Sequence, residues 1–171
     1  MRVPRILRKV HHPLGMAILI VLLSKALVFC LGYVVFYVSK GPAPPLSIIM
    51  NQFYHWDSVY YIDIAKNWHI NQGTSQNLIV FFPLYPVLIR LTTLNFAYIN
   101  LSALLVSNVS SIIATLFMFK LAKLDYDNST AIKAVLYLCV FPTAFFLSMM
   151  YTEGLFLALT ITSFYCARVG K

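Results

Sequence analysis

Residues 53–68 read FYHWDSVYYIDIAKNW. Two of the five acidic residues in the 171-residue chain, Asp57 and Asp63, lie inside this aromatic run. From Ser58 to Trp68 the pattern is helical, with Tyr61, Ile64, Ala65 and Trp68 on one apolar stripe. Asp57 precedes Tyr61 by one helical turn and Ile64 by two, so it projects toward that stripe. Asp63 is about 240° further round the helix, on the side of Lys66 and Asn67. Asp63 is therefore expected to be a solvated charge pairing with Lys66. Asp57 has two compatible roles. One is an N-cap accepting the backbone N–H of Val59 or Tyr60. The other is a carboxylate aimed into a partly desolvated, aromatic-walled site, where burial tunes it as a proton acceptor.

The surroundings of this stretch are those of a membrane protein. The chain is 60% hydrophobic and 11% charged, whereas a soluble domain carries about a quarter charged residues. The formal charge of +8 does not indicate nucleic acid, because the basic residues sit at the ends of apolar runs and not on one surface. Cys30, Cys139 and Cys166 fall inside apolar segments without metal-ligand spacing, so they are expected to be small buried hydrophobes with no disulfide.

A spanning helix needs about 20 mostly apolar residues, and four spans are predicted. They are Leu14–Val38, Leu101–Phe119, Ala131–Met149 and Gly154–Ala167, the last borrowing preceding residues to run over 151–168. The basic start, MRVPRILRKVHH, and the long apolar run after it predict a retained signal anchor, since a cleaved leader has a shorter core. With the N-terminus in the cytoplasm, Arg2, Arg5, Arg8, Lys9, Lys120, Lys123, Lys133, Arg168 and Lys171 lie inside. Only Lys40, Lys66 and Arg90 then lie outside, which satisfies the positive-inside rule. Lys25 falls within the first span, where it needs a partner or a polar cavity. Asp57, Asp63 and Glu153 all come to the extracytoplasmic side.

The outer loop, 39–100, begins with an extended GPAPPL exit and contains the polar loop NQGTSQN. FFPLYPVLIRLTTL, Phe81 to Leu94, predicts a short interfacial helix started by its prolines. Arg90 in it either binds a lipid phosphate or snorkels to the headgroups. Glu153 is placed where the third span turns into the fourth. It is either a functional carboxylate or a first-turn acid complementing a helix dipole. His55 and His69 flank Asp57 but form no recognisable metal triad. Ser107, Ser110, Ser111 and Ala114 make a small-residue face suited to helix packing.

Three stretches in this order, WDSVYYIDIA (Trp56 to Ala65), FFPLYPVLIRL (Phe81 to Leu91) and FPTAFFLSMMYTEGLFLAL (Phe141 to Leu159), resemble the PIG-V-type mannosyltransferases of the GT-C class. The resemblance implies an all-α, multi-pass membrane bundle of GT-C type, with about four spans in this chain and short interfacial helices in the outer loop. It also implies transfer of mannose from a polyprenyl- or dolichyl-phosphate sugar to a lipid-linked or glycan acceptor on the extracytoplasmic or lumenal side. The membrane would be the plasma membrane in a prokaryote and the endoplasmic reticulum in a eukaryote. Carried onto these positions, Asp57 is the candidate catalytic residue and Glu153 a second. His55, Trp56, Tyr60, Tyr61, His69 and Arg90 are candidate substrate-binding residues. No metal, cofactor or nucleic acid is expected; the partners are membrane lipid and the lipid-phosphate sugar donor. Relatives carry more spans, so this chain is expected to be an N-terminal part of a longer fold, or to be completed by a partner membrane subunit. A non-catalytic membrane scaffold and a small transporter are the rival readings.

Overall fold

The structure, a computed structural model, describes residues 13–42, 50, 52–68 and 78–170. The basic N-terminus, most of the proline-rich exit, His69 and the loop 71–77 lie outside the described residues. Among the described residues every regular element is a helix. In chain order these are α1 (Pro13–Lys40), α2 (Asp57–Asn67), α3 (Leu84–Thr92), α4 (Ile99–Ala122), α5 (Asn128–Val140) and α6 (Glu153–Arg168). Short 3-10 turns at Phe96–Tyr98 and Ala144–Ser148 precede α4 and α6.

α1 is a 28-residue apolar helix, about 42 Å long at 1.5 Å per residue. It ends at Gly41, whose φ of 82° closes the helix with an N–H bond to the Tyr37 carbonyl. Leu19, Leu22, Leu23, Leu27 and Leu31 are all exposed on it, the outward face expected of a helix standing in lipid. α1 and the helix running from Phe96 to Ala122 are long and apolar enough to cross a bilayer.

The other two expected spans are shorter than predicted. The third, expected to run from Ala131 to Met149, is helical only to Val140. Pro142 has no N–H and forces the residue before it out of the helical region; Phe141 accordingly sits at φ −57°, ψ 141°. The fourth is the 16-residue α6. Neither α5, with 13 residues, nor α6 reaches the roughly 20 that a span requires. The four-span expectation therefore reduces to two helices of spanning length.

Between α5 and α6 the α-helical ladder is interrupted by a short 3-10 turn, and side chains from α1 and α4 satisfy three of the carbonyls left open. Lys25 Nζ donates to the Leu147 carbonyl at 3.1 Å. Asn108 Nδ2 donates to that of Ser148 at 3.2 Å. Ser107 Oγ donates to that of Tyr151 at 2.8 Å. In an apolar setting an unpaired carbonyl costs about 1–3 kcal/mol, so these donors permit the break. Lys25 thus has the partner that its position demanded.

Two apolar clusters lie toward opposite ends of α4. One joins Tyr61, Ile62 and Ala65 of α2 with Tyr85 and Ile89 of α3, Ile99 and Ala103 of α4, and Met149–Tyr151. The other joins Ala17 of α1, Phe119 of α4, and Ala131 and Val135 of α5. The small-residue face of α4 is buried as expected, and α6 packs along it through Gly154. A Cβ at Gly154 would lie 2.6 Å from the Ser107 carbonyl oxygen, so the two backbones approach as closely as glycine alone permits. Gly154→Ala should therefore destabilise the detergent-solubilised protein by about 1–3 kcal/mol, read by thermal unfolding. Gly32→Ala, whose Cβ meets nothing closer than 3.4 Å, should be neutral or stabilising; equal losses at both positions would refute the close-approach account.

Candidate active site

The turn before α2 is backbone-strained. Trp56 has φ 51° and ψ −125°, a conformation that bulky residues rarely adopt and that costs about 1–3 kcal/mol. The His55 carbonyl anchors this turn. It accepts the Ser58 N–H at 3.2 Å, the Ser58 hydroxyl at 2.7 Å and the Tyr151 hydroxyl at 2.9 Å. Trp56 occupies the N-cap position and makes no side-chain cap bond. Asp57 is consequently the first helical residue and not the cap expected from sequence. It complements the helix dipole from within the first turn. Its side is also exposed, where partial burial was expected.

Glu153 comes to this place from the far side of the sequence, as the first residue of α6. It lies on an open, largely apolar groove of about 530 Å³, lined by Tyr137, Phe141, Phe146, Leu147 and Phe156. Its Oε2 is buried without a hydrogen-bond partner. Burial, and then the charge of Asp57, push its carboxyl above the ordinary range, while its own backbone N–H pulls the other way.

Two tyrosines link the turn of Asp57 to the segment that ends at Glu153. Tyr61 is buried, its ring edge-on to Phe81 and Tyr85 at 5.1 and 5.2 Å. Its hydroxyl is 3.3 Å from Thr152 Oγ1. Burial raises its pKa, with further upward contributions from Asp57 and Glu153. Tyr151 is pushed up to about 12, by burial first and then by the same two acids. Both phenols therefore stay protonated near neutral pH, and that of Tyr151 donates to the His55 carbonyl. Sequence reasoning passed over Tyr151 and Thr152, although both stand in the Tyr-Thr-Glu run that ends at Glu153. It also passed over Tyr85, whose buried hydroxyl bonds the Ala103 carbonyl at 3.0 Å and Ser107 Oγ at 2.7 Å. The available signal was that tyrosines buried in an apolar core need a hydroxyl partner.

The remaining expected residues divide into two groups. Trp56 and Tyr60 are exposed beside Asp57, with Trp56 6.3 Å from the Phe146 ring and Tyr60 5.3 Å from Phe81. The side chain of His55 is exposed on the same turn. Arg90, by contrast, sits at the other end of α2, about 15 Å of helix away. There it donates to the carbonyls of Ala65 and Lys66, both at 3.2 Å, and lies over the rings of Trp68 and Phe96. Trp68 leaves the expected apolar stripe and is exposed, because its φ of 62° ends α2. Asp63 accepts from Asn67 Nδ2 at 2.8 Å and forms no ion pair with Lys66. His69 lies outside the described residues.

A family model described as Mannosyltransferase (PIG-V) matches residues 44–171. The chain belongs to the PIG-V mannosyltransferase family. A curated relative, GPI mannosyltransferase 2 of Drosophila pseudoobscura pseudoobscura, is 28% identical over 132 residues, covering 68% of this chain. The chain spans 28% of the length of that relative. No solved structure matches it. The stretches Trp56–Ala65, Phe81–Leu91 and Phe141–Leu159 of this PIG-V chain all fall inside the matched region, and with them Asp57 and Glu153.

Glu153 makes the stability of the protein pH-dependent. Unfolded, it ionises near its ordinary value of about 4.3; folded, it keeps its proton to higher pH. The native state therefore binds more protons in that window, and stability falls as pH rises through it. Glu153→Gln should melt with the wild type below about pH 4 and above it at neutral pH. Parallel melting curves across the range would show that burial does not govern this carboxyl.

Proposed function

We propose that the chain forms part of a membrane mannosyltransferase site in which Asp57 activates the acceptor. The supporting observation is that the turn carrying Asp57 and the segment ending at Glu153, distant in sequence, are tied together by the Tyr151 hydroxyl on the His55 carbonyl at 2.9 Å and by the Tyr61–Thr152 contact at 3.3 Å. The donor is a polyprenyl- or dolichyl-phosphate mannose and the acceptor is lipid-linked, met on the extracytoplasmic or lumenal side. The wider architecture is a multi-pass bundle of GT-C type.

In the reaction Asp57 accepts the proton of an acceptor hydroxyl. That oxygen forms a bond to the anomeric carbon of mannose, and the bond from that carbon to the phosphate oxygen breaks. The electron pair leaves with the phosphate, a stable anion that needs no proton. Glu153, with one carboxyl oxygen unengaged, holds a neighbouring hydroxyl of the acceptor. Trp56 and Tyr60 present exposed rings to the sugar and lipid. His55 shares the turn with Asp57 and is assigned to the leaving phosphate in preference to Arg90, which is engaged elsewhere. Tyr61 supports the site from below. No metal or other cofactor enters the step, because the phosphate leaves without Lewis-acid help.

The test is mannose transfer from dolichyl-phosphate mannose, measured in membranes containing the protein as its gene encodes it. Asp57→Asn should lower the rate by about 10²–10⁴-fold with the protein still present and folded. Transfer at the wild-type rate would remove Asp57 as the base. It would favour a scaffold that supports a separate transferase.

A further inference from the structure

We infer that Tyr151 is a positioning residue of this site: its hydroxyl holds the His55–Asp57 turn in the shape that sets Asp57 against Glu153. The role rests on Asp57 being the base proposed above. Tyr151 is unusual in being tied at both ends. Its backbone carbonyl accepts from Ser107 Oγ at 2.8 Å, and Ser107 is itself bonded to Tyr85 at 2.7 Å. The phenol reaches the other way and donates to the His55 carbonyl at 2.9 Å. A continuous chain of hydrogen bonds therefore runs from Tyr85 of α3 through Ser107 of α4 and Tyr151 to the turn before α2.

The first two links are buried, and the last, at the exposed His55, is part-buried. Tyr85, Ser107 and Tyr151 all belong to the core, so water cannot readily replace a lost partner. The Tyr151 ring also stands edge-on to Phe146 at 5.3 Å, and Phe146 in turn faces Trp56. The left-handed φ of Trp56 is a conformation that relaxes unless neighbouring contacts impose it. Tyr151 supplies one such contact, from outside the turn. Because Glu153 follows two residues later in the same segment, one side chain sets the relative placement of both carboxylates. A further hydrogen-bond contact between these segments is the longer Tyr61–Thr152 pair at 3.3 Å.

Tyr151→Phe removes the phenol oxygen and keeps the ring. Hydrogen exchange at the amides of Ser58 and Val59, which close the turn, should accelerate by about tenfold or more. Exchange across α4 should stay as in the wild type. Mannose transfer should fall by about 10–100-fold in kcat with KM for the donor changed less than about twofold, the signature of a misplaced group rather than a lost binding contact. The Tyr151→Phe, Asp57→Asn double variant should be no slower than Asp57→Asn alone. Unchanged exchange at Ser58 and Val59 would overturn the holding role whatever the activity. Multiplying losses in the double variant would overturn its action through Asp57. Full transfer by Asp57→Asn would instead sink the proposed base, and the exchange measurement would still decide whether Tyr151 holds the turn.

Discussion

Three donors meet the backbone between Phe141 and Thr152, and the rest of the molecule depends on them. Pro142 stops α5 early, leaving an irregular stretch in which the carbonyls of Leu147, Ser148 and Tyr151 look outside the segment for partners. Lys25, Asn108 and Ser107 answer those carbonyls from two different helices. The result is a fixed irregular segment in place of a continuing span. It delivers Met149, Met150 and Tyr151 to the core and sets Glu153 at the start of α6. Without those donors the chain would gain by continuing as helix or by moving its polar groups to water, and neither course brings Glu153 to Asp57.

Around that segment the aromatic residues divide by depth. Tyr61, Tyr85 and Tyr151 are buried and spend their hydroxyls on named partners. Trp56 and Tyr60 remain open beside the exposed carboxylate. The inner ring is held by hydrogen bonds and the outer ring is accessible. The Arg168–Asp125 ion pair at the opposite end is exposed, where solvent screens it, and it has no bearing on this arrangement.

Much of this was legible in the residues, and the omissions have physical causes. The helical stripe in Ser58–Trp68, the packing face of α4 and the need of Lys25 for a partner all follow from spacing and solvation. Pro142 was a visible stop inside the predicted third span, yet the apolar run on either side outweighed it. The N-cap assignment of Asp57 failed because Trp56 takes an unusual left-handed backbone, which propensity does not anticipate. Asp63 chose Asn67 over Lys66, a choice between neighbours on one helix face that spacing does not decide. The convergence of Asp57 with Glu153 was beyond periodicity altogether. It depends on where a non-helical segment places its last residue, and that in turn depends on hydrogen bonds to helices read separately.

The bond from Lys25 to the Leu147 carbonyl also works as a depth gauge. An apolar helix in lipid is free to slide along its axis, since one leucine exchanges for another at little cost. A slip of one turn, about 5.4 Å, would carry the ammonium of Lys25 away from the Leu147 carbonyl, its acceptor among the described residues. α1 is thereby locked in height against the segment that carries Tyr151 and Glu153. The height of Glu153 along the opening helix is set by one lysine.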